Sequence, residues 1–131
     1  YSTIYGDMNG GIMPIGDLLK TEVYDLANHY NSQHEVIPSE IITRPPSAEL
    51  RPDQKDSDTL PPYNELDKRV EKFVEGMSAP RGDVDRRVLR SLMLSEFKRW
   101  QSAPVLKVSD HAFGMGRRLP IAHAAIPDKI E

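Results

Sequence analysis

Residues 43–63 read TRPPSAELRPDQKDSDTLPPY, and this run separates the patterned segments on either side of it. It contains five prolines, and most of its other residues are charged or carry a hydroxyl group. Proline supplies no backbone N–H, so neither a helix interior nor a central strand fits here. We predict an exposed loop. Loops longer than about 12–15 residues are uncommon in compact domains and often cover binding sites, whereas polar, proline-rich composition is also typical of linkers. Both interpretations remain open at this point.

Before the loop, apolar residues recur at helical spacing and predict a helix over residues 18–30. Its apolar face consists of Leu19, Val23, Leu26, Ala27 and Tyr30. Asp17 is the predicted N-cap, and Pro38 can start a short helix over PSEIIT. Lys20 falls in the first turn, where a cation is unfavourable unless an anion binds there, because the free N–H groups and the lysine would then address the same charge.

After the loop, a second pattern predicts a helix from Tyr63 to Gly76, with an apolar stripe formed by Leu66, Val70, Phe73, Val74 and Met77. Asp83 is the predicted N-cap of the next helix, which explains the Arg-Gly-Asp run without any role in adhesion. A short helix follows over SEFKRWQ, and Trp100 is expected to anchor packing. The chain is thus predicted to be mostly α, with at most one or two short strands near Ile12 and Val105.

Composition narrows the classes of function. The chain has 131 residues, a formal net charge of −3 and no cysteine, which argues against a general nucleic-acid surface and excludes disulfides, thiolate metal sites and a cysteine nucleophile within these residues. No apolar run approaches the ~18 residues of a membrane span. These features fit a cytoplasmic protein. Because the chain starts at Tyr1 inside a patterned segment, we expect it to be part of a longer polypeptide.

Spacing alone places no catalytic triad or carboxylate pair. At this level, a non-enzymatic helical interaction module with a proline-rich linker is as open as an enzyme.

Three longer runs carry a resemblance: YSTIYGDMNGGIMPIGDLLKT, IPSEIITRPPSAELRPDQKDSDTLPPYNELD and SEFKRWQSAPVLKVSDHAFGMGRRLPI. In this order they resemble the C-terminal part of the synthetase domain of glutamine-dependent NAD synthetases. The resemblance covers residues 1–121. The form ITRPPSAELRPDQKD is more similar to the glutamine-dependent branch than to the ammonia-dependent enzymes, which remain the alternative.

The resemblance implies an α/β, Rossmann-like synthetase domain of the adenine-nucleotide α-hydrolase type, with residues 1–123 as its C-terminal portion and 124–131 as an extension. It implies a ligase that uses ATP, deamido-NAD and ammonia from glutamine, together with Mg²⁺. The metal ligands, the pyrophosphate-binding loop and the glutaminase domain are expected upstream, so the 131 residues alone should be inactive. A homo-oligomer, at least a dimer, is implied, with neither nucleic acid nor membrane as a partner.

The resemblance also implies site residues. It places Lys20 and Ser47 at ATP-binding positions and Lys98 at a deamido-NAD-binding position. Further candidates for contacts near the phosphates are Asp7, Asp53, Lys55 and Asp56. No catalytic residue or metal ligand is assigned within the chain. With these assignments, residues 43–63 become a predicted substrate-covering loop rather than a linker, and its prolines would lower the entropy lost when it orders over ATP.

Overall fold

The computed structural model describes residues 2, 6–113 and 119–122, and this part of the chain is mostly helical. The element order is α1 (Lys20–Tyr30), α2 (Ser39–Thr43), a 3₁₀ turn (Asp56–Asp58), α3 (Tyr63–Val74), α4 (Gly82–Leu94) and α5 (Glu96–Arg99). The described residues contain no strand, only an isolated parallel bridge between Met13 and Val105, where short strands were predicted. The mostly-α prediction is therefore confirmed. Among the same residues, no helix has the length and apolarity needed to cross a membrane.

The chain divides into two compact units. The first contains Leu18–Asp67, and the second contains Ser2–Asp17 and Lys68–Glu131. Residues 3–5, 114–118 and 123–131 of the second unit, the predicted extension included, lie outside the described part. Among the described residues, the buried apolar side chains all belong to the second unit: Phe73, Val88, Ala103 and Ala112. In the described residues of the first unit, the buried side chains are instead two carboxylates, Asp56 and Asp67. The apolar face predicted for α1 is present in sequence, but none of its residues is buried.

The end of α3 departs from the predicted stripe at Met77, which is 77% exposed. The helix ends at Val74, and the Ser78 N–H donates a hydrogen bond to the Lys72 carbonyl at 3.2 Å. A Cβ on Gly76 would lie 2.8 Å from that carbonyl oxygen, so the turn requires glycine there. Met77 then adopts a left-handed φ of 42°. The prediction that Met77 belongs to the apolar stripe of this helix was wrong, because the turn that ends the helix exposes Met77 to solvent.

The beginning of α4 is organised by Asp85 rather than by Asp83. The N-cap is Arg81, and its N–H donates to Asp85 Oδ2 at 2.9 Å. From α3, Lys72 Nζ lies 2.5 Å from the same oxygen and Arg69 Nε lies 3.2 Å from Oδ1. The Lys72 hydrogen bond, followed by the Arg81 N–H, lowers the pKa of Asp85 despite its burial. The N-cap prediction for Asp83 was therefore wrong: that residue already lies inside the first turn.

Asp17 also has a role that its position in the sequence did not predict. The N-cap of α1 is Leu19, and the Asp17 carboxylate instead accepts hydrogen bonds from the N–H groups of Val108, Ser109 and Phe113 at 2.7–2.8 Å. The Ser109 hydroxyl donates to it as well, at 2.9 Å. An irregular segment leaves its amides without helical partners, and one carboxylate satisfies three of them. Burial opposes ionisation, but these hydrogen bonds outweigh it and lower the pKa of Asp17.

We predict that Asp17→Ala destabilises the segment around residues 108–113 by about 2 kcal/mol, because three backbone donors lose a charged acceptor. Since the pKa of the folded-state carboxyl is depressed, its contribution is fully present above the ordinary aspartate pKa of 3.8 and is lost as the pH falls through the lower value. Hydrogen exchange at the amides of Val108, Ser109 and Phe113 measures this. Unchanged protection in Asp17→Ala at neutral pH would contradict the assignment.

α5 is held by a buried ion pair. Glu96 is 1% exposed and Arg99 is 6% exposed; Arg99 Nε lies 3.0 Å from each carboxylate oxygen of Glu96, and Arg99 Nη1 donates to the carbonyl of Phe113. The Trp100 indole N–H donates to Glu96 at 3.1 Å, while 51% of Trp100 remains exposed. Trp100 was expected to anchor packing; in the structure its indole N–H binds the Glu96 carboxylate, and about half of the side chain stays in solvent.

Candidate functional site

The candidate site in the first unit is built around Lys20, the first residue of α1. Its ammonium lies 5.2 Å from the ring centroid of Tyr24 and 5.9 Å from that of Tyr63. At such distances the ring faces attract a cation. Within the described residues, Lys20 forms no salt bridge. The aromatic rings therefore hold the ammonium in place without neutralising its charge, which leaves the charge for an anionic ligand.

The N-terminus of α1 is less open to an anion than the sequence suggested. The Thr21 N–H donates to the buried carboxylate of Asp67 at 2.7 Å, and the Leu19 N–H donates to Glu22 at 2.7 Å. Two of the backbone donors that would have joined Lys20 are thus already bound by carboxylates of the protein. The lysine charge, rather than a free helix end, is the feature that can attract a phosphate here.

Tyr63 and Asp56 form a hydrogen-bonded polar pair in the cluster around Lys20, which also contains Tyr24. The Tyr63 hydroxyl donates to Asp56 Oδ2 at 2.6 Å, and Asp56 is only 8% exposed. Burial, and then the hydrogen bond and charge of Asp56, raise the pKa of Tyr63 well above its ordinary value. The phenol therefore keeps its proton and acts as a permanent donor. Among the described residues, Asp56 Oδ1 is buried without a hydrogen-bond partner.

The segment that carries Ser47 is tied to the same cluster through the backbone. The Asp56 N–H donates to the carbonyl of Pro46, the residue before Ser47, at 2.9 Å. Ser47 is partly exposed, and its hydroxyl oxygen accepts the Glu49 N–H at 3.0 Å. An exposed ion pair between Arg44 and Glu49, at 2.7 Å, spans the same bend. Loop 43–63 is thus locally structured, and Lys20, Ser47 and Asp56 belong to one unit.

Two further predicted residues of this loop lie at its surface. Asp53 is exposed and adopts a left-handed φ of 57°, a conformation that aspartate tolerates better than most residues. Lys55 is exposed, and its N–H donates to Asp58 Oδ2 at 2.9 Å, which starts the 3₁₀ turn. Neither residue is buried in the cluster, so both can be reached by a ligand from solvent.

The other predicted residues, Asp7 and Lys98, belong to the second unit. Asp7 is exposed in a turn that the Asn9 N–H closes by donating to the Gly6 carbonyl at 3.0 Å. A turn of this kind is typical of a segment rich in glycine and asparagine. Lys98 lies on α5, is partly exposed, and is flanked along the chain by the buried charges of that one-turn helix.

Sequence reasoning missed Tyr24, Tyr63 and Asp67. Tyr24 stands four residues after Lys20 and therefore on the same side of α1, a signal that spacing could have given. The contribution of α3 could not be found in this way, because no spacing rule relates α1 to a helix about 40 residues later. Only the fold shows that Tyr63 and Asp67 meet the first turn of α1.

A magnesium site is not formed by the described residues, which contain no group of three or more histidine, aspartate or glutamate side chains placed to hold a metal ion. One oxygen of Asp56 accepts the Tyr63 hydroxyl, and Asp67 accepts the Thr21 N–H. The Mg²⁺ that the resemblance implies therefore does not fit these residues.

Comparison with known protein families shows to which family the chain belongs. A family described as NAD synthase matches residues 1–102. The chain belongs to the NAD synthase family. This confirms the resemblance carried by the three motif runs.

Relatives in the NAD synthase family are similar along nearly the whole chain. The glutamine-dependent NAD(+) synthetase of Synechocystis sp. is 46% identical over 135 residues, covering 97% of this chain and 24% of that protein. The enzymes of the same name from Xanthomonas campestris and Aquifex aeolicus are 47% and 40% identical, over 94% of this chain and 24% and 23% of those proteins. The chain thus spans about a quarter of the length of these curated relatives. No solved structure matches it.

Proposed function

We propose that the chain forms one wall of the synthetase site in an ATP-dependent ligase that converts deamido-NAD to NAD, using ammonia derived from glutamine. The observation that carries the proposal is the similarity, over almost the entire chain, to proteins named glutamine-dependent NAD(+) synthetases. The order of the three motif runs and the unneutralised Lys20 beside Tyr24 and Tyr63 support it. The chain alone is expected to be inactive.

The reaction proceeds in two steps. An oxygen of the nicotinate carboxylate attacks the α-phosphorus of ATP, the bond to the β-phosphate oxygen breaks, and pyrophosphate leaves. The acyl-adenylate then carries a good leaving group in place of a poor one. Ammonia attacks the acyl carbon, AMP departs with the oxygen that came from the carboxylate, and a proton is released. Both steps develop negative charge on phosphate oxygens, which fixed cations stabilise.

Lys20, Ser47 and Lys98 are the residues to which we assign binding. Lys20 supplies positive charge to the ATP phosphates, and its ring contacts limit the motion of a side chain that would otherwise lose considerable entropy on binding. The Ser47 hydroxyl donates to ATP from loop 43–63, which we expect to cover the nucleotide. Lys98 binds deamido-NAD. Asp7, Asp53 and Lys55 are assigned to the surroundings of the phosphates.

The remaining parts of the proposal concern the whole enzyme. Residues 1–123 would complete a Rossmann-like synthetase domain, with 124–131 as an extension, in a cytoplasmic homo-oligomer of at least two subunits. Upstream residues would hold Mg²⁺, which supplies charge stabilisation on the phosphates when bound.

An isotope experiment tests the reaction. The full-length polypeptide is incubated with ATP, Mg²⁺, glutamine and deamido-NAD labelled with ¹⁸O in the nicotinate carboxylate. We expect NAD, AMP and pyrophosphate in equal amounts, with one labelled oxygen per AMP. Formation of ADP and phosphate, or unlabelled AMP, would overturn the adenylation route. Turnover with ammonia but not with glutamine would favour the ammonia-dependent alternative.

A further inference from the structure

Asp56 joins the two residues to which we assign ATP binding. Its side chain accepts the Tyr63 hydroxyl at 2.6 Å, and the Tyr63 ring centroid lies 5.9 Å from the Lys20 ammonium. Its backbone N–H donates to the Pro46 carbonyl at 2.9 Å, immediately before Ser47. One residue therefore anchors both the aromatic wall beside Lys20 and the loop segment that presents Ser47.

We infer that Asp56 and Tyr63 are positioning residues for ATP, which set the Lys20 ammonium and the Ser47 hydroxyl at a fixed separation without touching the nucleotide. This inference rests on the proposed function. It also gives Asp56 a role different from the phosphate contact that its motif suggested, because a carboxylate that is 8% exposed and bound to Tyr63 is poorly placed to meet a ligand.

The energetics of Asp56 favour a positioning role over a purely structural one. A buried carboxylate is costly unless its oxygens are hydrogen-bonded, and among the described residues Oδ1 has no partner. An apolar side chain at this position would avoid that cost. Proteins keep an unfavourable buried polar group of this kind mainly at sites where a function requires it. Here the Asp56 carboxylate fixes the orientation of the Tyr63 phenol, which stays protonated and donates to it.

A second anchor lies on the same helix pair and makes the arrangement rigid. Asp67, one turn after Tyr63 on α3, accepts the Thr21 N–H of α1 at 2.7 Å and is 7% exposed. The backbone beside Lys20 and the ring beside its ammonium are thus both fixed to α3. Loss of the Tyr63 hydroxyl should consequently leave the helix pair in place and release only the ring and the loop.

The test is the kinetics of Tyr63→Phe in the full-length enzyme. This change keeps the ring and removes the hydroxyl, and we expect the KM for ATP to rise about tenfold while kcat and the KM for deamido-NAD stay within about twofold. Asp56→Ala should give the same split. Asp56→Asn should restore the ATP KM to within about threefold, because its amide oxygen still accepts the phenol proton. Tyr30→Phe, which removes a phenol hydroxyl from the exposed end of α1, is the matched control.

The outcomes separate the inference from the proposed function. If the wild-type enzyme makes NAD and Lys20→Ala raises the ATP KM, but Tyr63→Phe and Asp56→Ala do not, the positioning role is overturned and the function stands. Equal losses in Asp56→Asn and Asp56→Ala would likewise overturn it. If wild-type protein makes no NAD, the proposed function itself fails. If Tyr63→Phe does not fold, the ATP KM values of Asp56→Asn and Asp56→Ala test the same positioning role.

Discussion

Glu96→Ala is expected to lower the local free energy of unfolding around α5 by about 3–5 kcal/mol, because it leaves the guanidinium of Arg99 buried without its counter-charge. Glu96 is 1% exposed and Arg99 is 6% exposed, so water cannot replace the lost carboxylate. The measurement is native-state hydrogen exchange of the amides from Glu96 to Phe113 in the full-length protein, since local opening there reports the local free energy.

A double variant tests the physical reason. Glu96→Met combined with Arg99→Met removes both charges and keeps similar volume, so we expect a smaller loss than in Glu96→Ala alone. Glu71→Ala, which removes an exposed glutamate from α3, is the control and should stay within about 0.5 kcal/mol of wild type. A double variant as unstable as Glu96→Ala would show that the loss arises from packing rather than from an unpaired charge.

Lys20→Ala and Lys98→Ala should have opposite substrate dependence in the full-length enzyme. We expect Lys20→Ala to raise the KM for ATP about 10–100-fold, as removal of one charge-assisted contact implies, with little change for deamido-NAD. Lys98→Ala should raise the KM for deamido-NAD by a similar factor and leave that for ATP unchanged. Steady-state kinetics with each substrate varied in turn measures both.

The exposed Lys68 provides the matched control for this pair. Lys68→Ala also removes one positive charge, so it should reproduce any general electrostatic effect on anionic substrates and nothing more. Unchanged kinetics in both Lys20→Ala and Lys98→Ala would defeat the site assignment. Equal effects of all three variants on both substrates would show that net charge, rather than these two positions, governs binding.

Local sequence rules succeeded where a segment decides its own conformation. The prolines of residues 43–63 predicted a break between helices, and that break separates α2 from α3. Apolar spacing located α1 and α3 to within a few residues. The extended segments near Ile12 and Val105 were predicted as at most short strands, and Met13 and Val105 form a bridge.

The error at Asp17 has a clear physical cause: its hydrogen-bond partners are distant in sequence. Asp17 was expected to cap the adjacent helix, yet it binds amides more than 90 residues away. A carboxylate is stabilised by whichever donors the fold brings to it, and a propensity rule considers only its neighbours.

The sequence by itself determined the helical character of the chain, its proline-rich loop and its membership of the NAD synthase family, because these follow from local pattern and from motifs kept in order. Tertiary structure alone decided that Tyr63 of α3 stands beside Lys20 of α1, and that Asp56 ties this ring to the segment of Ser47. Hydrogen bonds and ring contacts depend on distance in space, which the order of residues does not contain. The sequence therefore identifies candidate residues of the site, and the fold brings them together.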